Sequence, residues 1–387
     1  MSVRTQSTSH AIIDKYSSGE INLILQSFGC QTLDVSPRYH RLTTLLRSAI
    51  RIKSSWLARA TSAIRESRAK IILTGVDSNP YFYFLKHYLP KNTFIVVQNG
   101  IRGNFSNQPN GDFVSQLTHI AKRTGAKPAV DYILTFGEAH SDYYRGLVDG
   151  TTLEIGSLFN NRYSLLQSEE ISTRVNAISL ISSFDGKDHA DIFPEGMTKQ
   201  LKVLGSVTLT PGQYYRSLSN LAYNLGLYCR ENKILFQILG KREADNKWER
   251  QFYQLACCDL PFEFVPRHPD ETSLGHALTT RLTISHGSTL GYELLSRGHR
   301  VAFVNRPPSD YLGASGFQFR YGYPDSLSDE GLFWTSDNSI VGVKNLIEKV
   351  NCNNSRNSPE LEFHRKRLMR FDPGNSVFHR LIESLHS

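Results

Sequence analysis

Short unbroken apolar runs alternate along most of the chain with stretches whose apolar residues recur at helical spacing. The runs of the first half are "KIILTGVDSNP" (Lys70–Pro80), "TFIVVQNG" (Thr93–Gly100), "DYILTFG" (Asp131–Gly137) and "TTLEIGS" (Thr151–Ser157). Each breaks off at glycine and other turn residues. A strand with one wet face alternates apolar and polar residues. These runs do not, so both faces are covered, as in a parallel sheet flanked by helices. The predicted helices between them are "YFYFLKHYL" and "EAHSDYYRGLV". Ser78 or Asn79 can cap the first, with Pro80 in its opening turn. Its aromatics would equally suit a strand.

A polar stretch from Asn160 to Arg174 interrupts the rhythm and is read as a linker. Beyond it come "AISLISSF", a long helix capped by Thr210 with Pro211 at its start, "ILFQILG", the helix "NKWERQFYQLACC", "FEFVP", "RLTIS", a short helix after Ser285, "RVAFV" and "GLFWT". A helix from about Asn338 to Val350 and a final amphipathic helix follow. Alternating strands and helices predict two doubly wound, Rossmann-like α/β domains facing a cleft. The expected boundaries are 1–160, a linker at 161–174, a second domain at 175–350 and a helical tail at 351–387. Residues 1–69 are less regular. "INLILQSFGCQTLDVS" is read as an edge strand, and the two arginine-rich segments after it as helices.

At 387 residues, two domains fit better than one core. No run approaches the roughly 20 apolar residues that cross a bilayer, and the first ten residues lack the apolar centre of a secretory signal. A cytoplasmic protein is expected. Five scattered cysteines without a CxxC pair suit a reducing compartment. Cys257 and Cys258 are expected on a buried helix face. The net charge of +8 is explained by solubility or by an anionic partner. The basic residues form no nucleic-acid signature, so a phosphate-bearing small molecule or an anionic membrane surface fits better than nucleic acid.

In open α/β sheets ligands bind beyond the carboxyl ends of the strands, so the residues just after each strand carry the candidate chemistry. After "RLTIS" come His286, Gly287, Ser288 and Thr289. Unpaired N–H groups at a helix start suit a diphosphate, and glycine permits close approach. Thr289 and Glu293 are four apart and share a helix face, where a carboxylate can accept two sugar hydroxyls. Plain N-capping by Ser288 is the competing account. Lys241 and Arg242 follow "ILFQILG" and can neutralise phosphate, or simply form a charged turn. Arg267 and His268 follow "FEFVP", and Asp185-Gly186-Lys187-Asp188 follows "AISLISSF". In the first domain Asp77 and Asn79, then Gln98, Asn99, Gly100 and Arg102, then Glu138 and His140 occupy three successive strand ends. Asp77, Glu138 and His140 are candidate general bases for an acceptor hydroxyl. Asn79, Asn99 and Arg102 are candidates for acceptor binding. Capping by Asn79, a turn at Asn99-Gly100 and a structural His140 explain the same residues. A Walker loop, GxGxxG after a strand, a GxSxG elbow and a DxD metal motif are all missing, so no metal or cofactor is implied.

The segment "ISHGSTLGYELLSRGHRVAFVN" resembles the nucleotide-sugar segment of GT-B glycosyltransferases, and within them the surface-carbohydrate (O-antigen or capsule) biosynthesis proteins of bacteria. "VDSNPYFYFL" with "IVVQNGIRG", and "LGKRE" with "RQFYQLA", resemble the same proteins. The resemblance spans roughly Lys70 to Val350. It implies a GT-B-like fold and sugar transfer from an activated donor to a surface-polysaccharide or lipid-linked glycan acceptor. Ser288, Thr289 and Glu293, with His286 and Gly287 beside them, would then hold the donor, and Lys241 and Arg242 its phosphates. Asp77, Asn99 and Arg102 would face the acceptor. A nucleotide-sugar 2-epimerase, a polyol-phosphate transferase and a non-catalytic glycan-binding subunit remain alternatives. The activated sugar would be substrate rather than cofactor. Action at the inner face of the membrane is compatible with this set.

Overall fold

In the computed structural model the chain divides into two compact units, one made of Met1–Ile101, Pro109–Tyr163 and Lys366–Ser387, the other of Arg102–Gln108 and Ser164–Arg365. The structure describes residues 10–13, 19–27, 32–34, 55–101, 113–163, 175–184, 186, 202–204, 207–209, 211–243, 246–267, 273–304, 321–322, 327–352 and 359–386.

The first unit begins with β1 (His10–Ile13), α1 (Gly19–Ser27), β2 (Thr32–Asp34), α2 (Ser55–Ser67) and β3 (Ile71–Thr74). A 3-10 turn at Phe82–Phe84 then runs into α3 (Leu85–Tyr88). The unit continues with β4 (Thr93–Val97), α4 (Phe113–Thr124), β5 (Ala129–Thr135), α5 (Glu138–Arg145), β6 (Asp149–Glu154) and α6 (Leu158–Arg162). Its sheet has the order β2-β1-β3-β4-β5-β6, with every pair parallel. Both faces are covered, as unbroken apolar strands require. Ile72, Phe94, Val96 and Ile133 pack on one side with Leu57 and Ile64 of α2 and Leu117 and Ile120 of α4. Ile71, Leu73, Ile95 and Leu134 pack on the other with Ile21 and Leu25 of α1. Phe378 and Ile382 from the end of the chain join that second layer.

The second unit contains β7 (Val175–Ile181), a small antiparallel pair β8 (Lys202–Leu204) and β9 (Val207–Leu209), α7 (Pro211–Glu231), β10 (Leu235–Glu243), α8 (Lys247–Cys257) and β11 (Glu263–Arg267). α9 (Ser273–Thr279), β12 (Thr280–Ser285), α10 (Thr289–Ser296), β13 (Val301–Val304), β14 (Trp334–Thr335) and α11 (Ile340–Cys352) complete it. The order β11-β10-β7-β12-β13-β14 is parallel throughout and is that of a dinucleotide-binding sheet. α12 (Pro359–Leu368), a 3-10 turn at Pro373–Asn375 and α13 (Ser376–His386) end the chain.

Three local expectations change. The edge strand expected over Ile21–Ser36 begins instead as helix, Ile21–Ser27 lying in α1. Its buried Ile21, Ile24 and Leu25 recur at one helical turn, and among the described residues of the segment the edge strand is Thr32–Asp34. The second arginine-rich segment is α2, while the first lies outside the described residues. Cys257 is buried, but Cys258 leaves the helix at φ 53° and is exposed. Asn160 and Asn161, polar in sequence, lie in α6 with no exposed surface. Thr210 lies outside the described residues, and Pro211 opens α7.

Candidate functional site

The second sheet runs outward from β7 through β10 to β11, then resumes at β12 on the other side of β7. The connections after β7 and β12 therefore diverge, which leaves the crevice where doubly wound sheets take ligands. β12 ends at the buried Ser285, whose hydroxyl accepts from Ser288 N at 3.3 Å. Gly287 is exposed at φ 99°, a left-handed conformation that favours glycine. Ser288 caps α10, its hydroxyl accepting from Leu290 N at 3.3 Å. Capping and ligand binding are compatible here, because one hydroxyl satisfies only one of the free amides at a helix start. Gly291 lets α10 lie against β12: a Cβ there would stand 2.5 Å from Ser285 Oγ. Thr289 is half-buried and Glu293 is buried. Burial lowers the Arg297 pKa, and the Glu293 charge opposes that shift.

His286 ties this turn to the rest of the edge. Its Nδ1 lies 3.4 Å from Ser183 Oγ, just past β7, and its Nε2 lies 3.2 Å from Ser217 Oγ on α7. Asn338 Nδ2 donates to the same Ser217 hydroxyl at 3.2 Å. The imidazole therefore joins β7, β12 and α7 where the crevice opens.

Lys241 and Arg242 lie inside the end of β10, just before its last residue Glu243, rather than in a turn, and a register shift against β11 falls between Leu239 and Glu243. Beneath them sits a residue missed in the sequence. Glu249, on the first turn of α8, is fully buried. Its Oε1 accepts from Lys241 N at 2.8 Å and from Ser182 Oγ at 2.5 Å, and its Oε2 accepts from Arg242 N at 2.9 Å. Tyr253 OH donates to Ser182 Oγ at 2.8 Å. Burial pushes the Glu249 carboxyl above its ordinary value, against the lowering effect of these hydrogen bonds. The signal was in the sequence, since Glu249, Phe252, Tyr253 and Ala256 share one helical stripe. A carboxylate on an apolar stripe is buried and must be hydrogen-bonded. Arg267 ends β11 and is exposed, while His268, Asp185, Lys187 and Asp188 lie outside the described residues.

In the first unit the candidate residues sit beyond β3, β4 and β5, each tied to a different partner. Asp77 is fully buried, its Oδ2 accepting from Tyr144 OH at 2.7 Å and its Oδ1 from Asn99 N at 3.4 Å. Asn79 Oδ1 accepts from Tyr81 N at 3.1 Å, an Asx turn leading into the 3-10 turn, whose own N-cap is Tyr81, so Asn79 does not cap it as expected. Gln98 Oε1 accepts from Phe136 N at 2.9 Å, which fixes the amide orientation. Gln98 Nε2 then points at Gly100 O, 2.8 Å away, and at Nδ1 of the buried His140, 3.0 Å away. Neutral His140 thus accepts at Nδ1 and carries its proton on Nε2. Glu138 has a different partner: it lies 3.7 Å from Arg367 Nη1, with Arg367 also 3.7 Å from Asp142. A Cβ on Gly137 would lie 2.7 Å from the carbonyls of Lys366 and Arg367, so the returning chain covers the start of α5. The structure thus brings Asp77 and Asn99 together and holds Glu138 apart. Arg102 lies outside the described residues.

Residues 95–386 match a family described as "putative O-antigen biosynthesis protein". The chain belongs to this family. The matched span runs from β4 to the end of α13 and includes every candidate of the second unit, while Asp77 and Asn79 precede it. No curated protein matches by sequence. Solved structures similar to this O-antigen family member include the UDP-GlcNAc 2-epimerase of Methanocaldococcus jannaschii in complex with UDP-GlcNAc and UDP. The two share 10% identity and a TM-score of 0.51, over 97% of this chain and 99% of that one. A glycosyltransferase from Rickettsia africae shows 9% identity and a TM-score of 0.51, over 99% of each. The wall teichoic acid polymerase TagF shows 11% identity and a TM-score of 0.52, over 98% and 89%. Such identities speak to the fold, which is GT-B-like with two Rossmann-like domains. Among the described residues no helix is long and apolar enough to cross a membrane.

Proposed function

We propose that the protein is a glycosyltransferase of O-antigen or related surface-polysaccharide synthesis, moving a sugar from a nucleotide- or phosphate-activated donor to a glycan or lipid-linked acceptor. The carrying observation is the turn at the β7–β12 crevice, where exposed Gly287 at φ 99° leads into the Ser288-capped start of α10. That turn offers backbone amides and the positive end of a helix dipole to a diphosphate. The family membership and the epimerase and polymerase folds named above support an activated-sugar substrate.

In the proposed reaction the bond from the sugar's anomeric carbon to phosphate breaks as a bond to the acceptor oxygen forms. The acceptor proton passes to a base, and the released phosphate carries the negative charge. The α10 start, Lys241 and Arg242 meet that charge, and interactions of this kind favour the transition state over the bound substrate. Glu293 accepts hydroxyls of the donor. Glu138 is the favoured base of the three candidates because its side chain is 46% exposed, whereas Asp77 and His140 are buried. Asp77 and His140 then act as positioning residues behind it, with Asn79, Asn99 and Arg102 toward the acceptor. The reaction takes place in the cytoplasm, at the inner membrane face for a lipid-linked acceptor.

A thermal-shift series with nucleoside diphosphates and nucleotide sugars tests the donor site, since a ligand at 100 times its Kd stabilises by about 2.7 kcal/mol. One nucleotide class should raise the Tm of the wild type but not of Arg242→Ala. Incubating that donor with and without glycan acceptors tests the reaction. Product that forms only with acceptor supports transfer. Conversion of the donor alone would replace transfer with epimerisation, and binding without turnover would leave a carbohydrate-binding subunit.

A further inference from the structure

The edge of the first sheet opposite its candidate residues carries two rows of exposed cations. Because β3, β4 and β5 are adjacent and parallel, the residues before them share one edge. Lys70 immediately precedes β3, and Lys91 and Lys127 stand two residues before β4 and β5. All three are exposed. Neighbouring strands are about 4.8 Å apart, so these lysines form a row roughly 10 Å long. The second row comes from helix ends. α2 and α4 pack on the same face of the sheet and run back toward this edge, where Arg65, Arg68 and Lys122 are exposed. Among the described residues the exposed acids toward this edge include Glu66 and Asp149, while Asp131 is occupied by Lys86 at 2.7 Å and Asp142 by Arg145.

Cations in the last turn of a helix have an ordinary explanation in the helix dipole, which covers Arg65 and Lys122. It does not cover Lys70, Lys91 and Lys127, which lie outside helices. Arg68, just past the end of α2, shares the dipole explanation of Arg65 and Lys122, although it stands at φ 56°, where glycine would be the unstrained choice. Like charges placed side by side repel unless an anion accompanies them. These charges do not converge on a pocket, as recognition of one phosphate would need, and two rows make an area rather than a track for a single polymer.

We propose that this edge docks the protein on an anionic lipid bilayer, the cations lying against the headgroups. The binding stands without the proposed reaction. One consequence does rest on that reaction: the carboxyl edge faces away from the lipid, so an acceptor must reach it across about a strand length, roughly 20 Å.

Co-sedimentation of the full chain with vesicles tests this directly. Binding to phosphatidylglycerol-containing vesicles is expected, with none to pure phosphatidylcholine, and with release as salt shortens the screening length. Each surface cation contributes about fivefold to partitioning onto an anionic leaflet, so Lys70→Gln/Lys91→Gln/Lys127→Gln should weaken it about 100-fold. The three lysines are exposed, and an unchanged Tm would show that the variant folds. On the wild type, vesicles should slow hydrogen exchange at 65–70, 91 and 122–127. The proposal is overturned if anionic vesicles do not bind, if the triple variant binds equally well, or if protection appears elsewhere. Tighter binding to soluble dextran sulfate than to the vesicles would likewise overturn it and make the edge a polyanion site. Nucleotide-induced thermal shifts report on the reaction separately.

Discussion

Asn161 and Asn375, 214 residues apart, are joined by a buried hydrogen bond of 3.0 Å from Asn161 Nδ2 to Asn375 Oδ1. The rest of each amide is also used. Asn161 Nδ2 donates to Ile155 O at 2.7 Å, and Asn161 Oδ1 accepts from Asp372 N at 3.0 Å. Asn375 Nδ2 donates to Leu158 O at 3.1 Å, and Asn375 itself holds φ 57°. The pair fastens the end of the chain to the first unit, where α13 buries Phe378 and Ile382. Asn161→Leu strands several buried backbone groups, each costing about 1–3 kcal/mol. A loss of at least about 3 kcal/mol is expected in urea denaturation of the first unit. A variant within about 0.5 kcal/mol of wild type would show that water replaces the side chain without cost.

The Glu249 carboxyl is raised by burial, so its contribution has a definite pH dependence. A folded pKa above the unfolded value means that the native state binds more protons. The contribution is then fully present below the ordinary carboxyl value and is lost as pH rises through the folded pKa. Glu249→Gln removes that titration and sets an amide N–H against the backbone N–H of Lys241 or Arg242, at about 1–3 kcal/mol. The stability gap between wild type and variant should therefore narrow from about pH 5 to about pH 8. Urea denaturation at both values checks it, and a widening gap contradicts the raised pKa.

Much of the fold is legible because strand cores such as "KIIL", "FIVV" and "YILT" are apolar at consecutive positions, which only a two-sided burial explains. The Asx turn at Asn79 and the caps at Asn246 and Ser288 are equally local, since each side chain bonds an amide two or three residues on. The α1 segment reads as a strand because "INLILQS" satisfies strand and helix patterns alike over so short a span. The Asn161–Asn375 pair has no local signature at all, because its bonds join residues more than 200 apart. The site is legible only as a set of strand ends. The sequence placed Lys241 and Arg242 at such an end, but nothing short-range announces that the Glu249 carboxylate holds both of their amides.

Ser288 distinguishes capping from binding. Replacing an N-cap serine with alanine costs about 1 kcal/mol, while glycine costs only a few tenths. Ser288→Gly should therefore keep the wild-type Tm within about 1–2 °C yet lower nucleotide affinity about tenfold if its hydroxyl meets the diphosphate. Calorimetric titration on both proteins provides the comparison. Equal affinities would leave Ser288 as a cap alone.

Gly287 offers a complementary test, since any side chain there is strained at φ 99°. Gly287→Ala should cost about 1–2 kcal/mol from the left-handed backbone, and its methyl would stand where a ligand approaches the α10 start. Nucleotide affinity should fall by more than that strain explains, by at least about tenfold at a temperature where both proteins are folded. Unchanged affinity would move the donor away from this turn.

Asp77 and Tyr144 separate positioning from proton transfer. The Tyr144 hydroxyl donates to Asp77 Oδ2 at 2.7 Å, and Tyr83 OH donates to Asp77 O at 2.8 Å, so the loop after β3 is held by two buried phenols. If Asp77 acts by holding Asn99 in place, Tyr144→Phe and Asp77→Asn should lower transfer to similar degrees. A double-mutant cycle should then show coupling of about 1–2 kcal/mol in stability. The pH–rate profile should keep its shape in both, since the base lies elsewhere. A base at Asp77 predicts the opposite: Asp77→Asn would abolish transfer and erase the acid limb, whereas Tyr144→Phe would keep most activity and only shift that limb.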